Sequence, residues 1–239
     1  MPSPVQPAAD ARARARAVLK MGSAFAACPD SVIDEIMRRA QVHRFAKGET
    51  VCRQGEPGDS LMIVLSGSLK VTNVTAEARD VVLGFLKAGA LLGEIAALDG
   101  RERTASVVTL EPVELVTIYR RDLLPILRQN PDSMFALLEG LCGRLRSTIN
   151  LVESYSLETE ARVASCLVRL LDEHGLEAAG GMAIDLKLTQ RDLGSHLGLT
   201  RETVSRTLGE FREQGLLEIR GMSIVVIDAD GLRAVAEGA

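Results

Sequence analysis

One short segment in the middle of the chain combines residue types that could bind an anion next to a hydroxyl group. It runs from Gly93 to Ala105 and contains Glu94, Arg103 and Thr104. Backbone amides at the start of a short helix, an arginine and a threonine hydroxyl are all groups that bind phosphate. Glu94 would repel an anion unless it accepts a hydrogen bond from a hydroxyl, which a ribose beside a phosphate would offer. A plain ion pair between Glu94 and Arg103 is the alternative.

A second constellation, near the C-terminus, has the pattern of a DNA-binding unit. Thr189 and Asp192 form a capping box, which predicts a helix over 190–197. Thr200 caps a second predicted helix over 201–214. A glycine between the two helices provides a turn, and the residues that follow predict a β-hairpin. Helix, turn, helix and hairpin together indicate a winged helix-turn-helix.

Polar residues at the start of the second helix could read DNA bases. The exposed face is expected to carry Arg201, Glu202, Ser205 and Arg206. Arginine suits the major-groove edge of guanine, and glutamate accepts from the cytosine amino group. A solvated face with an ion pair between Glu202 and Arg206 is the alternative. Thr189 and Thr200, at the helix starts, are expected to hold phosphates without reading sequence.

The anion-binding segment lies inside a region that reads as all-β, over residues 48–120. Short apolar runs alternate there with turns rich in glycine and proline, and a helix is predicted just before them over 31–40. Many short strands at this spacing predict a closed or double-sheet architecture. The predicted strands are Thr50–Cys52, Leu61–Leu65, Leu69–Val74, Val81–Leu86, Ala105–Thr109 and Val113–Tyr119.

A heptad pattern follows the β region and predicts a long helix that begins after Asn130. Its seam residues are Met134, Leu138, Leu141, Leu145, Thr148, Val152 and Tyr155. This spacing is typical of a helix packed against a second copy of itself, and a helix packed on its own domain is the alternative. Thr148 is polar, so it either sets the register or holds a polar group. A further helix is predicted over 158–174, and a glycine-rich link over 178–181.

Composition narrows the function classes. The 239 residues carry a formal charge of −4, with 46% hydrophobic and 25% charged residues, which is ordinary for a globular protein. No apolar stretch reaches membrane-spanning length and no secretory signal is evident, so a cytoplasmic protein is expected. The cysteines and histidines lack metal-ligand spacing, so no metal is expected. Glu94, Asp99 and Glu102 lie close together without a nucleophile, so neither catalytic residues nor enzyme activity is expected.

The two constellations resemble motifs of the cyclic AMP receptor protein/FNR (CRP/FNR) family of bacterial transcription regulators. The Gly93–Ala105 segment is similar to the phosphate-binding cassette of cyclic-nucleotide-binding domains. The run Leu199–Arg206 resembles the recognition helix of the family. The resemblance extends from about residue 22 to near the end of the chain, in the family's order of β-roll, long dimer helix and winged helix.

The resemblance implies an α+β fold in three parts. An N-terminal tail, a helix and a cyclic-nucleotide-binding β-roll of the jelly-roll type would occupy residues 1–129. A dimerisation helix would occupy 130–156, and a winged helix-turn-helix DNA-binding domain 157–239.

The resemblance also implies which residues hold the effector, a cyclic nucleotide. The implied set is Gly93, Glu94, Ile95, Arg103, Thr104, Ala105, Arg144, Thr148 and Asn150. Gly93 and Glu94 would contact the ribose. Arg103 and Thr104 would hold the cyclic phosphate, and Thr148 would meet the adenine amino group. Cyclic AMP receptors of the family have a serine after that threonine, whereas Ile149 follows here. The implied effector is therefore cyclic AMP or cyclic GMP.

The partners implied are a second copy of the chain, double-stranded DNA and RNA polymerase. A homodimer formed through 134–155 would bind a palindrome whose half-sites lie about one helical turn, roughly 34–36 Å, apart. In each TGA-like half-site, Glu202 would read a cytosine and Arg206 a guanine, with Arg201 at the neighbouring base pair. No membrane partner is expected. The same scaffold responding to a haem-bound gas, redox state or an organic acid is the alternative, although the cysteine cluster of the iron–sulfur sensors is absent from this sequence.

Overall fold

The computed structural model describes residues 9–20, 25, 28–75 and 80–238. The chain has the predicted α+β architecture, with a β-rich N-terminal part, a long helix and a C-terminal helix-turn-helix. Its contacts divide it into two compact units. The first unit consists of residues 1–73 and 84–146, and the second of residues 74–83 and 147–239.

The β-rich part contains two four-stranded sheets, ordered β1-β8-β3-β6 and β2-β7-β4-β5. The strands are β1 (Gln41–Phe45), β2 (Thr50–Cys52), β3 (Ser60–Ser66), β4 (Leu69–Val74), β5 (Asp80–Leu86), β6 (Leu91–Leu92), β7 (Ser106–Thr109) and β8 (Val113–Tyr119). The ladders of β8 with β1 and β3, and of β7 with β2 and β4, are antiparallel. All six strands predicted from the sequence are confirmed within one residue at either end.

Strand β3 shows how this region is layered. Leu61, Ile63 and Leu65 belong to a core cluster that also contains helix residues. Met62 and Val64 belong to a different cluster, with residues of the other sheet. Because successive side chains of a strand point to opposite faces, β3 has helices on one side and a second sheet on the other. This accounts for its continuous apolar run, since both faces are covered.

Four helices accompany these sheets. They are α1 (Ala9–Lys20), α2 (Asp30–Arg39), α3 (Glu94–Asp99) and α4 (Arg120–Gln129). Ion pairs join α1 to α2, with Arg16 3.1 Å from Asp34 and Lys20 3.0 Å from Asp30. Helix α4 is not predicted by the sequence pattern, because it contains Pro125, which removes a backbone donor from the helix. Burial of its apolar face in the core of the first unit keeps it helical.

The long helix α5 spans Pro131–Ser154 and begins directly after Asn130, as predicted. The Asn130 side chain donates back to the carbonyl of Ile126, at 2.8 Å, so it caps the end of α4. Leu137 and Leu151 of α5 are buried within the chain. The seam residues Leu138, Leu145 and Val152 are instead 45%, 62% and 62% exposed. One side of α5 therefore packs on its own chain, and three apolar residues of the heptad seam are left uncovered.

The second unit has the pattern of a winged helix-turn-helix. Its elements are α6 (Thr159–His174), β9 (Gly175–Ala178), β10 (Gly181–Ile184), α7 (Gln190–Leu197), α8 (Arg201–Glu213), β11 (Leu217–Arg220), β12 (Ser223–Val226) and α9 (Ala229–Glu237). The strands form one sheet in the order β11-β12-β10-β9. Helices α6, α7 and α8 and the β11–β12 hairpin agree with the prediction to within one residue.

The prediction of a glycine-rich link over 178–181 is wrong. Residues 175–184 form the antiparallel hairpin β9–β10, with Gly180 at a φ of 86° in its two-residue turn. Such a turn favours glycine because other residues rarely adopt positive φ. Gly181 lies so close to β12 that a Cβ atom there would collide with the backbone oxygen of Val226. These glycines build a sheet rather than a flexible linker.

Candidate functional site

The predicted anion-binding segment lines a cavity of about 50 Å³ in the first unit. Residues predicted from the sequence that line it are Gly93, Glu94, Arg103, Thr104, Ala105 and Arg144. The remaining lining residues are Cys52, Val71, Leu92, Ala96 and Val107, from the adjoining strands and α3. Burial raises the pKa of the Cys52 thiol, so this lining residue is uncharged. The charged groups of the lining are therefore Glu94, Arg103 and Arg144.

Arg103 is held rigidly in the wall of this cavity. Its side chain is 5% exposed, and its guanidinium donates to the Ser60 carbonyl at 2.8 Å, the Ser60 hydroxyl at 2.8 Å and the Gly93 carbonyl at 3.1 Å. Gly93 has a φ of 75°, and a Cβ atom there would collide with this guanidinium. Glycine is therefore required at position 93 for both its conformation and its lack of a side chain. A guanidinium has five N–H groups, so these three bonds leave two for a ligand.

Glu94 supplies a buried carboxylate beside this arginine. Its Oε1 accepts a hydrogen bond from Arg144 at 2.7 Å, and Arg144 also donates to the Leu91 carbonyl at 2.7 Å. Its Oε2 is buried and has no hydrogen-bond partner in the described part of the chain. A buried carboxylate oxygen without a donor is costly, so this atom is positioned to accept from a ligand. The sequence alternative of a Glu94–Arg103 pair is not formed, because Glu94 pairs with Arg144.

The cavity can therefore bind a ligand that carries both an anion and a hydroxyl. Two N–H groups of Arg103 and the hydroxyl of Thr104 can donate to the anion, and Glu94 can accept from the hydroxyl. Helix α3 is only six residues long, so the cationic character of the cavity comes from side chains rather than from a helix terminus.

Three other residues implied by the resemblance are located elsewhere. Ile95 is 41% exposed and lies outside the cavity lining. Thr148 and Asn150 are exposed residues of α5 in the second unit. Asn150 lines a different cavity, of about 580 Å³, together with residues of α6 and α9. Ser60, which positions Arg103, is not identified from the sequence, because a serine at the start of a strand has no distinctive local pattern.

The helix-turn-helix is held together by the predicted caps and glycines. Thr189 and Asp192 form the capping box of α7, and the Thr200 hydroxyl accepts from the Thr203 amide at 3.1 Å. Gly198 has a φ of 66° at the end of α7. A Cβ atom on Gly194 would come 2.7 Å from the Leu199 carbonyl oxygen, so a glycine there lets α7 approach the turn.

The start of α8 presents the predicted base-reading residues to solvent. Arg201, Glu202, Ser205 and Arg206 are all exposed. Arg206 lies 3.7 Å from Glu210, one turn further along, so the sequence alternative of a Glu202–Arg206 ion pair is not formed. Together with α7 and the β11–β12 wing, Arg201 and Glu202 border an open groove of about 1110 Å³. A polar helix end beside a groove and a wing is the arrangement of a DNA-reading surface.

The two threonines at the helix starts are engaged in capping. The Thr189 hydroxyl donates to the Asp192 carboxylate at 2.6 Å, so a phosphate contact from this hydroxyl requires that bond to break. The Thr200 hydroxyl lies 2.9 Å from the Thr203 hydroxyl, and either of them can donate. Phosphate binding by Thr189 and Thr200 stays a prediction.

Neither a metal cluster nor a membrane-spanning helix is present in the described part of the chain. Across 9–20, 25, 28–75 and 80–238, no group of three or more histidine, cysteine, aspartate or glutamate side chains could hold a metal ion. None of the helices described is long and apolar enough to cross a membrane.

Two protein-family models match the chain. That of the cyclic nucleotide-binding domain matches residues 42–130, which include Arg103 and Glu94 of the cavity. That of the Crp-like helix-turn-helix domain matches residues 161–235, which include the surface of Arg201 and Glu202. Each family model thus coincides with one of the two sites derived from the residues.

Individual proteins with similar sequences are transcription regulators. A CRP-like cAMP-activated global transcriptional regulator of Mycobacterium tuberculosis is 30% identical over 216 residues, which cover 90% of this chain and 96% of that protein. A global nitrogen regulator of Nostoc sp. is 28% identical over 188 residues, which cover 77% and 84%. Among solved structures, FixK2 from Bradyrhizobium japonicum has the same fold, with a TM-score of 0.74 and 23% identity over 82% of this chain and 96% of that one.

Proposed function

The chain belongs to the CRP/FNR family of transcription regulators, and from this premise we propose that it is a homodimeric, sequence-specific DNA-binding protein controlled by a cyclic nucleotide. The effector proposed is cyclic AMP or cyclic GMP. The protein would act in the cytoplasm, on promoter DNA and together with RNA polymerase.

The unpartnered Oε2 atom of Glu94 carries the effector assignment. It is buried in the cavity lined by Arg103, so a ligand that binds there needs a hydroxyl donor close to an anionic group. The ribose of a cyclic nucleotide has its free hydroxyl next to the cyclic phosphate, which matches this pair. Gly93, Ile95, Thr104 and Ala105 complete the proposed cassette.

The base would lie outside this cavity. A volume of about 50 Å³ accommodates a phosphate group, whereas sites for drug-sized molecules occupy roughly 300–1,000 Å³. We therefore propose that Arg103 and Glu94 anchor the phosphate and ribose, and that Thr148 and Asn150 contact the base. An apolar Ile149 between them offers no hydrogen bond to distinguish adenine from guanine, which is why both nucleotides are candidates.

The exposed seam of α5 supports the homodimer. Leu138, Leu145 and Val152 are apolar, exposed and spaced for coiled-coil packing, so burying them against the same residues of a second copy is favourable. A symmetric dimer presents two α8 helices, which matches a palindromic operator. In each half-site, Glu202 and Arg206 would read bases, Arg201 would add a preference at the neighbouring pair, and Ser205 would lie on the same face. Thr189 and Thr200 would fix the register on the phosphates.

Control of DNA binding requires that the nucleotide binds one arrangement of the dimer more tightly than another. Calorimetric titration of the purified protein with cyclic AMP and with cyclic GMP tests the effector directly. Binding-site selection followed by fluorescence anisotropy, with and without the nucleotide, tests its effect on DNA. We expect binding of at least one nucleotide and a changed DNA affinity in its presence. If neither nucleotide binds at millimolar concentration, the effector assignment is wrong, and an absorption spectrum then tests for haem.

A further inference from the structure

A buried histidine lies in the helix-turn-helix, at a place that neither of the sites above uses. His196 is in the last turn of α7 and is 1% exposed. Its Nδ1 lies 2.8 Å from the carbonyl oxygen of Val82, and its Nε2 lies 2.6 Å from a guanidinium nitrogen of Arg169. Val82 belongs to the first residues of β5, which group with the second unit. The imidazole thus joins α7 to β5 and to α6.

The two partners determine the tautomer of this ring. A guanidinium can only donate, so Nε2 must be the acceptor. A carbonyl oxygen can only accept, so Nδ1 must carry the proton and donate to Val82. Both nitrogens are thereby satisfied in a single neutral tautomer. Burial lowers the pKa of His196 to about 4, which keeps the ring neutral at physiological pH.

The contact with β5 lies next to the DNA-reading surface. Val81, which precedes Val82, lines the same groove as Thr200 and Arg201 at the start of α8. His196 therefore holds α7 beside the strand segment that borders this groove.

We propose that His196 is a positioning residue for DNA recognition, whose Nδ1–H bond to Val82 holds α7 against the first residues of β5 and so fixes the start of α8 beside the groove. This proposal rests on the proposed DNA binding, and the contacts that carry it lie within the second unit.

Two substitutions separate the two bonds of the ring. In His196→Asn, the side-chain amide nitrogen takes the place of Nδ1 and can donate to Val82, but the group that faces Arg169 is lost. In His196→Gln, the longer side chain places its carbonyl oxygen near Nε2, where it accepts from Arg169, and the donor to Val82 is lost. Both variants remove the imidazole, and each keeps one bond of the ring and loses the other, so a difference between them shows which of the two bonds positions α7.

DNA affinity is measured by anisotropy with the full-length wild type and both variants, each with and without cyclic AMP. Hydrogen exchange of peptides covering residues 81–83 and 194–199 is followed in the same samples. We expect His196→Asn to stay within about twofold of the wild type in DNA affinity and exchange. We expect His196→Gln to differ from it by about fivefold or more in both, as for one lost hydrogen bond.

Identical behaviour of the two variants would overturn the proposal. If cyclic AMP does not alter wild-type DNA affinity, the effector assignment fails, and the nucleotide-free comparison of the variants still decides whether His196 positions α8. Should His196→Gln not fold, the ¹⁵N spectrum of the wild-type ring decides instead. A proton on Nε2 rather than on Nδ1 would contradict the proposed bond to Val82.

Discussion

Replacing Arg103 tests the proposed effector cavity most directly. The guanidinium is buried and makes three hydrogen bonds to Ser60 and Gly93, with two further N–H groups available to a phosphate. Arg103→Ala removes the proposed cationic partner of the phosphate. It also leaves three buried acceptor atoms of the protein without this donor. The substitution should therefore weaken both nucleotide binding and folding, by separable amounts.

The binding loss is that expected for one lost partner of a buried charge pair, about 2–5 kcal/mol. This corresponds to about a 30-fold to 5,000-fold increase in the Kd for cyclic AMP. Arg103→Lys keeps the charge but cannot span both carbonyls and the phosphate, so its loss should be smaller but clear. The stability loss arises mainly from the oxygens of Ser60 that lose this donor, each worth about 1–3 kcal/mol at most, because the Gly93 carbonyl still accepts from the Ala97 amide.

Calorimetry measures the binding, and thermal unfolding monitored by circular dichroism shows which variants are folded at the assay temperature. Arg101→Ala is the matched control, because Arg101 is an exposed arginine two residues away that does not line the cavity. Its Kd should stay within about twofold of the wild type. A folded Arg103→Ala protein that binds cyclic AMP with unchanged affinity would refute the assignment of the cavity.

Leu145→Glu should abolish the dimer at micromolar concentration, because it places a charge opposite its symmetry mate, whereas the neighbouring exposed Arg146→Glu should remain dimeric by sedimentation. Glu202→Ala should relax selection at one base pair by roughly 1–3 kcal/mol and keep non-specific affinity, while Glu213→Ala, at the far end of α8, should select the wild-type sequence. The pKa of His196 is about 4 in the folded chain and 6.5 in the unfolded chain, so as the pH falls the unfolded chain is protonated first. The contribution of His196 to stability is therefore complete above pH 6.5 and falls by up to about 3 kcal/mol towards pH 4. The free energy of unfolding, measured with denaturant between pH 7 and pH 4, should decrease less in His196→Asn than in the wild type. Equal decreases in the two proteins would contradict the lowered pKa.

The β-rich region could be predicted from the sequence because its signals are local. Turns such as Gly55–Asp59 separate the apolar runs, and each run is long enough for one strand. Helix α8 could also be predicted from the sequence, because Thr200 is a recognisable N-cap. In both cases local propensity and tertiary burial favour the same structure, so little depends on distant contacts.

The elements that the sequence did not predict depend on tertiary contacts. Helix α4 contains Pro125 and is stabilised by its buried face. Helix α9 is anchored by Leu232, which is fully buried. The β9–β10 hairpin pairs with β12, which lies more than 40 residues further along the chain. Such partners leave no periodic pattern within a short window of sequence.

The sequence predicts which charged residues belong to the candidate site but not which hydrogen-bond partners they have. The Gly93–Ala105 segment indicated the anion-binding residues, and six of the nine implied effector residues line one cavity. The partner of Glu94 is 50 residues away in sequence, at Arg144. The residue that fixes Arg103 is Ser60, 43 residues before it. Neither pairing has a local sequence signal, since both depend on how the first unit folds.

The carboxylate of Glu94 also bears on whether this cavity serves as a binding site or only as part of the scaffold. Arg144 satisfies one oxygen of Glu94, and the second is buried without a donor in the described chain. A structural role alone would need only the first oxygen, and the unpaired one costs about 1–3 kcal/mol. A ligand hydroxyl that donates to this oxygen offsets the cost. The ligand that carries the hydroxyl would also place its anionic group beside the guanidinium of Arg103. The arrangement is therefore less stable than a fully paired core and better suited to a ligand, which is the pattern of a site organised for binding.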